Sequence, residues 1–295
     1  MKNKIKKYLL IKISLIFSIF LLFNFLVLLA NVLGFKSLQQ ELVNHQVAKI
    51  NKNNDIVFLG DSSLGHAINS NLWSELSDKP TSNMALTGNF SFAGAYAILE
   101  EIIEKKKEIK TLVIINNVYA WQENIKYTGY EYIKKQDNFF LKYLNYLDKN
   151  IFEIKNFYYQ LIIKKNKKKF LNLIVNDFMK HGKKITKDAN YTFEINLFNE
   201  DKSFYLKKIN NLCLEFNIEC FYFHGPIYQS LCKKLNFAFI KRINNELSNL
   251  RIKFDPNINC LNHDQIGDTV YHTSAKYKNI MTKIYYEKYL NLKKN

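Results

Sequence analysis

Apolar and polar positions fall into distinct regimes along the chain. From 13 to 35 runs an uninterrupted uncharged, mainly apolar segment, closed by Lys36. Residues 37–54 are polar and predict a short helix leading into the fold. At 56–59 four apolar, partly β-branched residues (Ile56-Val57-Phe58-Leu59) stop abruptly at Gly60-Asp61-Ser62-Ser63, the pattern of a strand buried on both faces and ended by a tight turn. Residues 64–76 then read as a helix, 82–89 as a second strand ending in a turn, 92–106 as a helix and 112–115 as a third strand. This β-α-β-α-β alternation predicts an α/β fold with a parallel sheet covered by helices.

The rhythm breaks between about 120 and 200, where the chain is rich in Tyr, Phe and Lys and mostly helical in pattern. That stretch is expected to be an insertion, either a lid or docking surface over the strand ends or a structural elaboration. Alternation returns with a helix at 202–216, a strand at 220–223 ending in His224-Gly225-Pro226, and a helix at 229–250. An irregular stretch carrying Cys260, His263, Asp264, Asp268 and His272 precedes a final amphipathic helix at 274–292. The organisation expected is therefore a lysine cluster and anchor at 1–36, a linker helix at 37–54 and one α/β domain at 55–295 with the insertion inside it. Three prolines, Pro80, Pro226 and Pro256, leave no Pro-rich linker to divide that body.

The apolar segment at 13–35 is long enough, at ~1.5 Å per residue, to span a hydrocarbon core of ~30 Å with some tilt. A secretory signal would have a shorter apolar core and a small-residue cleavage site. Lys2, Lys4, Lys6, Lys7 and Lys12 precede it without an acid among them, so the positive-inside bias puts residues 37–295 outside the cytoplasmic membrane. The same lysines discount the net charge of +17: of 43 basic residues, 38 remain against 26 acids, or +12 for the rest. Without a basic groove interleaved with aromatics or a known reader motif, this does not suggest a nucleic-acid partner. The densest run, 164–169, reads as a solvated helix face or as weak attraction to an anionic glycan or lipid surface. Outside the membrane, Cys213, Cys220, Cys232 and Cys260 are where disulfides form; their pairing is open, with Cys232–Cys260 one possibility.

Ser62 follows a strand and opens a helix, which places it at the carboxyl end of the sheet and at a helix N-terminus that favours developing negative charge. The plain alternative is that Asp61 or Ser62 only caps the helix. A nucleophilic serine needs a base and a group to orient that base. His45 and His66 fall on helices and His181 in the charged insertion, with ordinary surface readings. His272, in a polar loop after Asp268 and just before the last helix, is the best base. His224 ends a strand and either contacts substrate or makes a structural hydrogen bond. His263 and Asp264 beside Cys260 lack the paired spacing of a metal site.

This ordered set resembles the SGNH (GDSL-type) hydrolase superfamily. Gly60-Asp61-Ser62 matches its first block, Gly88 the glycine whose N–H serves the oxyanion hole, Asn116 or Asn117 its asparagine block, and Asp268 with His272 its last block. Two features depart from the family pattern. Three residues rather than two separate Asp268 from His272, and Ile115-Asn116-Asn117-Val118 stands where Gly-x-Asn-Asp is usual. The resemblance implies a flavodoxin-like three-layer α/β/α sandwich and a Ser62-His272-Asp268 mechanism with Gly88, Asn116 or Asn117 in the oxyanion hole. It also implies neither cofactor nor metal; Asp61 and His224 are candidate substrate contacts from their places at the strand ends. Anchored members with this layout add or remove O-acetyl groups on cell-surface polysaccharides or transfer D-alanine to teichoic acid. The expected partners are a surface glycan or other acyl ester, the membrane bilayer and a multi-pass membrane acyltransferase as acyl donor. A general lipase, esterase or thioesterase, or a catalytically silent glycan-binding or scaffold module, stands as the alternative.

Overall fold

A computed structural model describes residues 2–32, 38–122, 129–130, 133–134, 198 and 203–294. Most of the expected insertion, with His181 and the lysine run at 164–169, lies outside them. In chain order the elements are α1 (Lys2–Val32), α2 (Leu38–Ala48), β1 (Ile56–Gly60), α3 (Ser62–Ala67), α4 (Ser70–Ser77), β2 (Thr81–Asn83), α5 (Ser91–Glu104) and β3 (Thr111–Asn116). They continue with α6 (Phe204–Glu215), β4 (Glu219–His224), β5 (Ile227–Tyr228), α7 (Gln229–Cys232), α8 (Phe237–Ser248), β6 (Lys253–Asp255), β7 (Cys260–Leu261) and α9 (Lys278–Lys294).

Five strands form a parallel sheet in the order β2-β1-β3-β4-β6. The chain winds outward from β1 to β2, then crosses back to β3 on the other side of β1. Because parallel crossovers are right-handed, this reversal moves the connecting helices to the opposite face. Accordingly α4 packs under β1 through Phe58 and Trp73, whose ring centroids are 4.7 Å apart. On that same face α9 meets β4 through Phe221–Tyr289 at 4.8 Å and Phe223–Tyr285 at 5.7 Å. On the other face α5 and α6 pack together, Phe92 lies 6.5 Å from Tyr222, and Asn244 of α8 reaches His224. The result is an α/β fold with a parallel central sheet and helices on both faces. Strands β1 and β3 are buried along their whole length, which is why their sequences read as continuous apolar runs.

Gly60, the last residue of β1, allows this packing: a Cβ there would lie 1.8 Å from the carbonyl oxygen of Ile115 on β3. Several predicted elements differ in extent. The helix expected at 64–76 is two helices, broken where the Asn69 side chain accepts hydrogen bonds from the N–H groups of Asn71 (3.1 Å) and Leu72 (3.4 Å) and so caps α4. The helix expected at 229–250 is likewise split, with Asn236 accepting from Ala238 N at 2.8 Å to start α8. Strand β2 stops at Asn83, whose side chain accepts from Ala85 N, although Met84 N and Leu86 N still donate to Phe58 O and Gly60 O of β1. Strand β6, three residues long with a lysine and an aspartate in it, lies in the stretch expected to be irregular.

The 31 residues of α1 form one helix. Not all of its side chains are among those described, and among the described residues no helix is long and apolar enough to cross a membrane. The membrane span expected at 13–35 therefore rests on the sequence alone.

Candidate active site

The strand order reverses at β1, so the carboxyl ends of β1 and β3 diverge into the crevice where open α/β sheets hold ligands. Ser62 stands at the end of β1 and Asn117 at the end of β3. Asp61 shapes the turn between them. It is the N-cap of α3, and its carboxylate accepts from Ser63 N at 2.8 Å, Ser63 Oγ at 2.5 Å, Asn117 N at 2.9 Å and Asn117 Nδ2. Burial raises its pKa above the ordinary carboxylate value, against the pull of the bonds from Ser63 and Asn117 and the His272 charge. Asp61 is 1% exposed with both oxygens engaged by protein, so it holds the turn and presents nothing to a substrate.

His272 arrives from the far end of the chain. Ser62 Oγ lies 2.9 Å from His272 Nε2, and His272 Nδ1 lies 2.8 Å from Asp268 Oδ1. An ionised Asp268 can only accept, so Nδ1 carries the proton and Nε2 is left as the acceptor for the serine hydroxyl. The imidazole thus faces Ser62 in its basic tautomer. The loop carrying both residues is closed at its base: Ile266 and Thr273 form an antiparallel bridge, and Gly267 N donates to His272 O at 2.6 Å. Inside it His272 N donates to Thr269 O at 3.2 Å. This turn takes up the additional residue between Asp268 and His272, and the carboxylate still reaches the ring. Tyr228 N on β5 donates to Val270 O at 2.8 Å and ties the loop tip to the body. β5 pairs with β7, and a Cys232–Cys260 disulfide joins α7 to β7 behind it. Cys213 and Cys220 are buried free thiols.

His66 lies elsewhere than expected. Instead of facing solvent it is 4% exposed, its ring stacked on His272 at a centroid distance of 3.9 Å and an interplanar angle of 29°. The available signal was its spacing from Ser62: four residues apart on one helix, the two side chains share a face.

The remaining candidates are dispersed. Gly88 begins a 3-10 turn before α5, and a Cβ there would meet nothing within 4 Å, so the position has open space beside it. Asn117 caps the 3-10 turn Val118–Trp121 by accepting from Ala120 N, and spends one amide hydrogen on Asp61. Asn116 is wholly buried, in register with His224, with neither side-chain polar atom hydrogen-bonded. Enclosed in that way, it is no donor to an oxyanion in the crevice. His224 is buried too, with Nε2 3.3 Å from Asn244 Oδ1, and burial lowers its pKa to about 4. It is a neutral structural histidine rather than a substrate contact.

Among the described residues, His66, Asp268 and His272 are the cluster with metal-ligand chemistry, their ligand atoms lying within 4.8 Å of one another. Both ring nitrogens of His272 are already engaged, and the two imidazoles stack face to face, so their lone pairs do not converge on one point. With His272 so engaged, the set does not fit a metal site. Cys260, in its disulfide, is not available to the His263–Asp264 pair. Comparison with protein-family models and with curated proteins found no match.

Proposed function

We propose that this chain is a membrane-anchored, extracytoplasmic serine acyl-transfer enzyme of the SGNH type, adding or removing O-acyl groups on a cell-surface polysaccharide. The observation that carries the proposal is the hydrogen-bonded relay Asp268–His272–Ser62, with links of 2.8 and 2.9 Å, at the switch point of a parallel sheet. In the proposed reaction Ser62 Oγ attacks the acyl carbonyl carbon as its proton passes to His272 Nε2. Asp268 steadies the imidazolium. The proton then goes to the departing alkoxide, leaving an acyl-serine and an alcohol. Water or a sugar hydroxyl attacks that ester, giving its proton to Nε2, and the proton returns to Ser62 Oγ when the acyl group leaves. The backbone N–H groups of Ser62 and Gly88 and the second amide hydrogen of Asn117 are the proposed oxyanion donors.

The anchor rests on the uncharged run at 13–35 and the lysines before it. It places the serine where surface glycans are the accessible substrates, and a multi-pass membrane acyltransferase is the proposed donor partner. A second reading, a catalytically silent module, is favoured by one observation: Asn117 is already bound to Asp61 and Asn116 is enclosed, which thins the oxyanion hole. Comparing surface-glycan O-acetyl content in cells carrying the wild-type chain or Ser62→Ala tests the proposal. Lower acetylation in the variant identifies a transferase and higher acetylation an esterase. Unchanged acetylation refutes the acetyl-glycan assignment.

A further inference from the structure

We infer that His66 is a positioning residue for His272, its ring acting as a flat backstop that keeps the imidazole in the plane its two hydrogen bonds require. The inference rests on the acyl-transfer reading of the site for its kinetic consequences, and on geometry alone for its structural ones.

His272 is tethered in-plane at both nitrogens, to Asp268 at 2.8 Å and Ser62 at 2.9 Å. The ring's own freedom is rotation about its Cβ–Cγ bond. That rotation swings Nδ1 and Nε2 out of line with their partners, and hydrogen bonds weaken steeply as they bend. A second ring face 3.9 Å away, inclined at 29°, blocks that motion on one side. His66 is suited to act as a stop because it is buried and its helix is held at both ends. It is 4% exposed, on a helix held at its start by the Asp61 cap and further along by buried Lys278, whose Nζ donates to Gly65 O at 2.7 Å. Gly225 packs directly against the same helix, where a Cβ would lie 2.3 Å from Ser63 Oγ.

The placement couples two functions in one element. Ser62 and His66 occupy the same face of α3, so the nucleophile and the backstop of its base move as one body. The base comes from a loop more than two hundred residues later, yet its ring is clamped between two groups of this six-residue helix and Asp268. An imidazole that must accept a proton from Ser62 and then deliver it to a leaving group needs its plane held through both steps.

The test compares His66→Phe, which keeps a flat ring, with His66→Leu, which fills similar space without one, in the full-length chain in detergent. The maximal rate of Ser62 modification by a fluorophosphonate is expected to fall between about tenfold and about a hundredfold in His66→Leu, and to stay within about threefold of wild type in His66→Phe. The probe concentration giving half-maximal rate should change by less than about twofold in either variant, because positioning acts on the step and not on binding. A second readout needs no activity: the downfield proton of the His272–Asp268 hydrogen bond should persist in wild type and His66→Phe and broaden by exchange in His66→Leu. If His66→Leu does not fold, His66→Met takes its place. Equal losses in the flat and non-flat variants, or none in either, overturn the inference. A wild-type chain inert to the probe but showing the expected proton behaviour would sink the acyl-transfer reading and leave the backstop standing.

Discussion

The turn that carries Ser62 and the loop that carries His272 are built in opposite ways. At the turn, a strand end, a cap and the start of a helix are contiguous, and one buried carboxylate, Asp61, gathers donors from Ser63 and from Asn117 on the neighbouring strand. The loop at 266–273 buries Ile266 and Val270 in the core but takes its shape from distant segments. It is held by backbone pins, the Ile266–Thr273 bridge, Gly267 to His272 and Tyr228 to Val270, with a disulfide behind them. Ser62 is thus held by contiguous elements, and His272 by a loop pinned from segments far apart in the chain. Asp268 is 25% exposed at its side chain, whereas Asp61 is almost sealed. Loss of one aspartate should therefore affect the reaction, and loss of the other the fold.

The largest effect expected is on rate. Asp268→Asn replaces an acceptor that fixes the His272 tautomer, and by the precedent of serine-protease triads the turnover of an activated ester should drop by about 10⁴-fold. Because Asp268 is partly exposed, the melting temperature should shift little; a large drop there would erase the contrast. Asp61→Ala should do the reverse, leaving Ser63 N and Asn117 N without their buried acceptor and costing about 4 kcal/mol of stability, from ~1–3 kcal/mol per stranded donor. Chemical denaturation of the two variants side by side measures both.

Reduction of Cys232–Cys260 bears on the loop's support. Its loop of 28 residues is expected to contribute about 3.6 kcal/mol of stability. A reductant should therefore lower the melting temperature and slow turnover severalfold, while Cys232→Ser combined with Cys260→Ser should behave like the reduced protein. Unchanged turnover in that pair would separate the disulfide from the loop.

A smaller effect concerns acid. His224 is buried on β4, and its folded pKa of about 4 lies below its unfolded value of ~6.5, so the unfolded chain binds the extra proton first. Its contribution is complete above pH ~6.5 and is lost as the pH falls towards 4, reaching about 3 kcal/mol. His224→Gln should flatten the stability–pH curve across that window, read from urea midpoints at a series of pH values. An equally steep curve in the variant would move the acid sensitivity to another group.

The same contrast explains what could be read from the chain. The turn was legible because its parts are neighbours: an apolar strand, Gly60 where β3 leaves no room for a side chain, then Asp61 and Ser62 at a helix start. His272 and Asp268 were legible as residue types in a loop before the last helix, but the turn that closes 2.8 Å between them depends on backbone bonds no residue pattern announces. Helix breaks at Asn69 and Asn236 went unread because asparagine inside an apolar-periodic stretch looks like an ordinary polar face until its side chain caps the next turn. His66 was misplaced, and His224 was left between a substrate contact and a structural hydrogen bond, for a related reason. A histidine tolerates both water and a packed interior, and only the neighbours supplied by distant segments decide between them.

The central claim is that Ser62 is a nucleophile activated by His272, and intact-mass analysis of the full-length chain after fluorophosphonate treatment tests it most directly. The account predicts one adduct per chain, mapped to the peptide containing Ser62 and absent from both Ser62→Ala and His272→Ala. A folded wild-type chain that gains no mass, or an adduct that persists in Ser62→Ala, would contradict it.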